Sequence, residues 1–159
     1  MNAISVETAS APTDEVRALI GALDATLAKE YTPEQRHGLP LEAIFQPNVR
    51  FFVARLDGAA AGCGGVALFA DFAEVKRMFV TEAARGHGVA QALLARIEAE
   101  ARDAGLALLR LETGERQTAS MRLYAKAGFE ECPAFGAYAA MDAQAIATSV
   151  FFEKRIAAA

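Results

Sequence analysis

The sequence predicts an α/β domain with a mixed, mostly antiparallel sheet of about seven strands flanked by about four helices. Short segments alternate between apolar and polar residues, which is typical of strands, and two longer segments repeat apolar residues at helical spacing. One helical segment lies between two strand segments, and a right-handed parallel crossover is the simplest way to connect them. At 159 residues, without an internal repeat or linker, the chain 1–159 is expected to form a single domain.

The first part of the chain predicts a strand, a helix and a loop. Residues 4–8 alternate like a strand, and Pro12 and Thr13 open a helix that should end near Tyr31. Residues 32–46 are interrupted by proline and glycine and predict a loop with one short helix at 41–45. We expect this loop to form a rim of the substrate site.

The middle of the chain predicts an antiparallel meander followed by the crossover. Residues 50–56 and 62–70 are predicted strands joined by a tight Asp57-Gly58 turn, with a third strand at 74–80. The remaining predicted elements are a helix at 85–104 ended by Gly105, a strand at 106–113, a helix at 117–127 ended by Gly128, and strands at 129–132 and 149–155. The parallel pair is expected at the crossover, between the fourth and fifth strands.

The composition excludes several classes of function. The net charge of −4 and the pI of about 5.2 provide no positive field for nucleic acid or anionic lipid. The N-terminus lacks the features of a secretory signal, and the uncharged run 58–70 is too short to span a bilayer, so a cytoplasmic protein without a membrane partner is expected. Two cysteines and two histidines form no metal-binding pattern, and no GxSxG occurs. Chemistry is therefore expected from carboxylates, tyrosine and backbone.

A glycine-containing turn joins the third meander strand to the following helix. Gly86 and Gly88 remove side chains that would keep a ligand away, and the free N–H groups at a helix start favour an anion. The turn could therefore cradle a diphosphate, or the glycines could only shape the turn. A Rossmann site is disfavoured, because Gln91 stands in place of its third glycine and five residues separate Val80 from Gly86. The absence of Gly-Lys-Ser/Thr excludes a P-loop.

Two segments together carry a family resemblance. Residues 85–90, Arg-Gly-His-Gly-Val-Ala, resemble the Arg/Gln-x-x-Gly-x-Gly/Ala signature of the GNAT superfamily of N-acetyltransferases. Residues 117–129 resemble that superfamily's Asn-x-x-Ala-x-x-Leu-Tyr-x-Lys-x-Gly-Phe segment, with Gln117 in place of Asn and Ser120 in place of Ala. The resemblance implies a GNAT-like sheet that splays between the fourth and fifth strands to admit the pantetheine arm of acetyl-coenzyme A.

The resemblance also implies roles for individual residues, with acetyl-coenzyme A as co-substrate and no metal. An N–H on a bulge of the fourth strand, at Val80, would polarise the thioester carbonyl, and the Tyr124 hydroxyl would face the sulfur. The alternative for Tyr124 is that it only packs in the core. The implied coenzyme contacts are Met78, Phe79, Val80, Arg85, Gly86, His87, Gly88, Val89, Ala90, Gln117, Ser120 and Tyr124.

The acceptor side is less well defined by the sequence. An alkyl ammonium must lose a proton before it attacks, and Glu74 and Glu112 are the candidate bases, with Glu74 favoured because the superfamily often places its base on that strand. The alternative for either residue is a solvated charge at the end of a strand. Phe135 and Tyr138 could form an aromatic wall for the acceptor, or they could pack a hairpin or a homodimer contact. The predicted function is acetyl transfer to a primary amine of a small molecule or peptide. The alternative is a non-catalytic coenzyme A-binding regulatory module of the same fold.

Overall fold

The computed structural model of the protein describes residues 2–157. Within this range the strands are β1 (Ile4–Thr8), β2 (Val49–Leu56), β3 (Ala59–Leu68), β4 (Ala73–Val80), β5 (Leu108–Gly114), β6 (Glu130–Cys132) and β7 (Ser149–Arg155). The α-helices of the same residues are α1 (Asp14–Ala28), α2 (Val89–Asp103) and α3 (Thr118–Lys126). The short helix predicted at 41–45 is a 3-10 turn at Leu41–Ala43.

The strands form one seven-stranded sheet in the order β1-β2-β3-β4-β5-β7-β6. All neighbouring pairs are antiparallel except β4 and β5, which are parallel and are connected through α2. The predicted meander and crossover are therefore confirmed. Asp57 and Gly58 both have positive φ, 51° and 89°, as a two-residue turn between twisted antiparallel strands requires.

The parallel pair separates after its first two residues. Ala73 pairs with Leu109 and Glu74 with Arg110, and the pairing of β4 with β5 ends there. The rest of β4 and the carboxyl end of β5 therefore flank an opening in the sheet. This opening agrees with the splay implied by the family resemblance.

A bulge deforms β4 beside this opening. The β3–β4 register shifts between Cys63 and Gly65, and Arg77 has a φ of 55°, which is uncommon for a residue with a side chain. The Arg77 side chain is only 6% exposed and forms an ion pair with Asp24 of α1. This contact to a second element helps to hold the unusual backbone in place.

Helices cover both faces of the sheet. Phe52 and Ala54 of β2 belong to the core cluster that contains the buried face of α2, whereas Phe51 and Val53 pack with α1. Side chains of successive strand residues point to opposite faces, so β2 contributes to both layers. Among residues 2–157, no helix is both long and apolar enough to cross a membrane.

Candidate active site

The turn before α2 presents a row of backbone N–H groups. Gly86 and Gly88 have φ of 82° and 88°, and Gly88 in this left-handed conformation makes α2 begin at Val89 rather than at the predicted residue 85. Within residues 2–157, the N–H groups of residues 86 to 91 hydrogen-bond to no other protein group. Free N–H groups at the positive end of a 15-residue helix suit an anion, so the turn fits the diphosphate of a coenzyme.

A cavity of about 560 Å³ extends from this turn to the start of α3. We call it the coenzyme groove. Its lining includes nearly all of the predicted coenzyme contacts, namely Met78, Phe79, Val80, Arg85, Gly86, Gly88, Val89, Ala90, Gln117, Ser120 and Tyr124. His87 is the exception, because its exposed ring lies 2.8 Å from the Asn2 amide nitrogen rather than in the groove. Only the His87 backbone N–H belongs to the cradle.

The backbone of β4 directs a donor toward the opening in the sheet. Val80 lies opposite Gly62, and the next N–H along, that of Thr81, donates to the Ala61 carbonyl oxygen at 2.9 Å. Because hydrogen-bonded and non-bonded pairs alternate along antiparallel strands, the Val80 N–H points away from β3. On that side the pairing with β5 has already ended. The Val80 N–H is therefore available to a thioester carbonyl in the groove.

Tyr124 lies where the coenzyme groove meets a smaller cavity of about 110 Å³. We call the smaller one the central cavity. The Tyr124 ring packs against Phe129 and Phe152, with centroids 5.7 and 6.4 Å away, so the residue is part of the core. Its hydroxyl hydrogen-bonds to no other residue within 2–157. Burial, and then the negative charge of Glu112, raise the pKa of Tyr124, which keeps the phenol protonated.

Glu74 is buried, at 5% exposure, and is not a solvated strand-end charge. Its Oε2 accepts hydrogen bonds from the Tyr138 hydroxyl at 2.6 Å and from the Lys76 ammonium at 3.1 Å. The same ammonium donates to the Tyr138 oxygen and to the His37 carbonyl oxygen. No protein donor within residues 2–157 reaches Oε1. One carboxylate oxygen is thus anchored while the other can accept a proton.

Glu112, the second candidate base, lies on β5 and lines the central cavity. Its Oε2 accepts a hydrogen bond from the Ser149 hydroxyl at 2.6 Å. Burial raises the pKa of Glu112, and this hydrogen bond and the nearby positive charges only partly oppose that effect. The structure therefore brings both candidate carboxylates and Tyr124 to the same small cavity.

A third cavity, of about 590 Å³, lies on the other side of Glu74. We call it the acceptor cavity. It shares His37, Gly38, Glu74 and Lys76 with the central cavity, so the two meet at the Glu74–Lys76 pair. Phe135 and Tyr138 line it, and at 5% and 6% exposure they are also packed within the chain. The two residues therefore pack within the chain, whereas their role as a wall for the acceptor and a homodimer contact both stay predictions.

Sequence reasoning missed Lys76 and His37. Lys76 follows Glu74 by two residues on a strand, and that spacing places both side chains on one face, so the signal was present. His37 was assigned only to a rim loop, and its ring nitrogen lies 2.7 Å from the Ala145 carbonyl oxygen. The loop before β2 thereby reaches across the site to the segment before β7.

Within residues 2–157, no three His, Cys, Asp or Glu side chains form a cluster that could hold a metal.

Comparisons with known proteins agree with this fold and groove. The profile of the Acetyltransferase (GNAT) family matches residues 20–129. The chain is 46% identical over 127 residues to an IAA acetyltransferase of Azospirillum brasilense, covering 79% of this chain and 83% of that protein. The chain therefore belongs to the GNAT acetyltransferase family.

Solved structures agree with this assignment. A Klebsiella pneumoniae protein provisionally named an acyl-CoA N-acyltransferase superposes with a TM-score of 0.77 at 34% identity, covering 97% of this chain and 98% of the other. A GNAT family acetyltransferase from Elizabethkingia anophelis, solved with acetyl-CoA bound, superposes with a TM-score of 0.66 over 96% of this chain and 98% of the other. At 16% identity, this second likeness shows the fold alone.

Proposed function

We propose that the protein transfers an acetyl group from acetyl-coenzyme A directly to a primary amine. The observation that carries this proposal is the position of Tyr124, which lines both the coenzyme groove and the cavity that holds Glu74. A donor for the leaving sulfur and an acceptor for the amine proton thus lie on two sides of one reaction centre. Membership of the GNAT acetyltransferase family, together with an acetyl-CoA-bound protein of the same fold, supports the choice of donor molecule. A cytoplasmic location stays a prediction.

The coenzyme would bind through the features of α2 and β4. The free N–H groups of residues 86 to 91 would hold the diphosphate, and the pantetheine arm would enter the opening between β4 and β5. The Val80 N–H would then donate to the thioester carbonyl oxygen as that oxygen gains negative charge. Backbone donors of this kind need no reorganisation during the reaction, which is why they stabilise the transition state.

The acceptor amine would lose its proton to Glu74. The ammonium first loses one proton to the free Oε1, directly or through water, and Glu74 passes that proton to solvent. A bond then forms between the neutral amine nitrogen and the acetyl carbon, the carbon–sulfur bond breaks, and the second nitrogen proton leaves by the same route. The anchored Oε2 holds the carboxylate in place through Tyr138 and Lys76. Glu112, which also lines the central cavity, would be the second candidate for accepting these protons.

Tyr124 would stabilise the thiolate mainly as a hydrogen-bond donor. A thiol has a reference pKa of about 8.5 and a phenol about 10, so full proton transfer from tyrosine is already unfavourable. Burial raises the Tyr124 pKa further and increases that difference. The thiolate is therefore expected to take its proton from solvent after it leaves.

Substitution of Tyr124 by phenylalanine tests the reaction. The ring contacts to Phe129 and Phe152 remain, so folding and coenzyme affinity should change little. Turnover, measured as thiol release with a panel of amines, should fall by about 10²-fold, the low end for a positioned proton donor. Unchanged turnover would remove Tyr124 from the mechanism. Coenzyme binding by the parent without turnover of any amine would instead favour the regulatory module.

Substitution of Gly88 by valine tests the cradle independently of turnover. A branched side chain at a φ of 88° is strained and lies beside the free N–H groups. Calorimetry should show coenzyme A affinity falling by at least about tenfold, a loss comparable to one good charge-assisted hydrogen bond. Circular dichroism checks that the variant is folded. A folded variant with parental affinity would show that the diphosphate binds elsewhere.

A further inference from the structure

The lining of the acceptor cavity is mainly aromatic and apolar. Its large apolar side chains are four benzene-type rings and one methionine, namely Phe69, Phe72, Phe135, Tyr138 and Met141. Phe69 stacks on Phe72 with ring centroids 4.9 Å apart. Phe135 meets both Phe72 and Tyr138 edge to face, with centroids 5.5 and 5.3 Å away. Rings in these orientations offer both faces and edges to a further flat ring.

Two of these side chains are unusually accessible. Phe69 is 44% exposed and Met141 is 37% exposed. Among residues 2–157, no other large hydrophobic side chain is exposed to this degree. Both line the acceptor cavity, although they lie 72 positions apart in the sequence. Exposed apolar surface concentrated at one cavity marks a binding site more often than an accident of packing.

The charges around the cavity favour a cationic ligand. Asp71 lines the cavity and is exposed, and Glu74 lies where the cavity meets the central cavity. The lysine of the lining, Lys76, is already bound to Glu74 and to Tyr138. A carboxylate ligand would therefore meet acidic groups and a lysine whose charge is compensated, whereas an ammonium would meet Asp71 and the free Oε1 of Glu74.

We propose that the acceptor is an arylalkyl primary amine with one or two rings. Its ring would occupy the acceptor cavity between Phe69 and Met141, and its amine would lie at Glu74, facing the central cavity. The cavity volume of about 590 Å³ is within the range of small-molecule sites. This inference rests on the proposed acetyl transfer and names its substrate class.

The experiment compares primary amines with and without an aromatic ring on the carbon chain that carries the amino group. Tryptamine and phenethylamine are the aromatic probes, and n-hexylamine and spermidine are the controls without a ring. The expected kcat/KM for tryptamine exceeds that for hexylamine by at least about tenfold, as ring stacking and apolar burial together would produce. Equal values for the aromatic and alkyl amines would overturn the proposal.

Variants at Phe69 locate the effect. Phe69→Ala should reduce the tryptamine-to-hexylamine ratio of kcat/KM by about 2- to 12-fold, the range for one aromatic pair, and Phe69→Leu should reduce it less because apolar area remains. Asp103→Ala, an exposed change at the far end of α2, serves as the control variant. A ratio unchanged by Phe69→Ala would place the ring elsewhere.

A binding measurement separates this inference from the proposed reaction. Tryptamine is titrated by calorimetry into the protein saturated with coenzyme A, and the titration is repeated with Phe69→Ala. Binding that weakens in the variant supports the aromatic site even if no amine is acetylated, a result that would contradict only the acetyl transfer. Turnover of alkyl amines without tryptamine binding would retain the reaction and overturn the aromatic site.

Discussion

The buried pair of Glu74 and Lys76 allows a quantitative test of how the acceptor side is stabilised. Their side chains are 7% and 10% exposed, and the carboxylate and ammonium lie 3.1 Å apart. Removing one partner of such a pair leaves a charge with little access to water. This typically costs about 3–5 kcal/mol, whereas exchanging both partners is often nearly neutral.

The perturbation is a cycle of Glu74→Gln, Lys76→Met and the double variant. Glutamine can still accept from Tyr138, and the ammonium keeps the His37 carbonyl oxygen as a partner, so we expect the low end, about 3 kcal/mol. Lys76→Met leaves the carboxylate with the Tyr138 hydroxyl and should cost about as much. The double variant leaves no buried charge and should cost about 1 kcal/mol or less, giving a coupling energy of about 5 kcal/mol between the two side chains.

The assay is thermal and urea unfolding followed by circular dichroism. For a protein of this size, about 3 kcal/mol corresponds to a decrease in Tm of about 6–12 °C for each single variant. The double variant should melt close to the parent and above both single variants. A double variant that loses about 6 kcal/mol, the sum of the singles, would show that the two side chains act independently. Single losses below about 1 kcal/mol would show that the pair behaves like an exposed one.

Two further predictions concern backbone packing and pH. Gly62→Ala should lose about 1–3 kcal/mol, because a Cβ there would lie 2.6 Å from the Phe79 carbonyl oxygen, and urea unfolding without a loss would refute that close approach. Gly21→Ala in α1, with nothing within 4 Å of its Cβ, is the matched control and should gain about 0.5–1 kcal/mol. Burial raises the pKa of Glu112 above its ordinary value of 4.5. The protonated side chain therefore contributes fully to the stability of the fold below about pH 4.5, and this contribution is lost as the pH rises through the folded pKa. Glu112→Gln should therefore gain stability relative to the parent as the pH rises above about 4.5, and a constant difference in unfolding free energy during that rise would contradict it.

Local sequence patterns determined most of the elements. The Asp57-Gly58 turn and the helix ends at Gly105 and Gly128 depend on the backbone preferences of single residues. The diphosphate cradle is likewise a contiguous turn. These features were predictable because the interactions that specify them are between residues close in sequence.

Boundaries and distortions were less predictable. The helix predicted from residue 85 begins at Val89 because Gly88 adopts a left-handed conformation. The family resemblance implies a bulge on the fourth strand, but only the structure places its distortion at Arg77. Arg77 is not a residue whose own preference favours positive φ. Its conformation depends on β3 opposite and on Asp24 of α1, which no local pattern reveals.

The tertiary structure alone decided how the acceptor side is assembled. Tyr138 lies 64 residues from Glu74, and their hydrogen bond exists because β4 and the segment before β7 meet at the opening of the sheet. The exposure of Phe69 and Met141 at one cavity is equally invisible in the sequence. Residue types and their spacing determine local conformation and the face of a strand, but the convergence of distant side chains depends on how the chain as a whole packs.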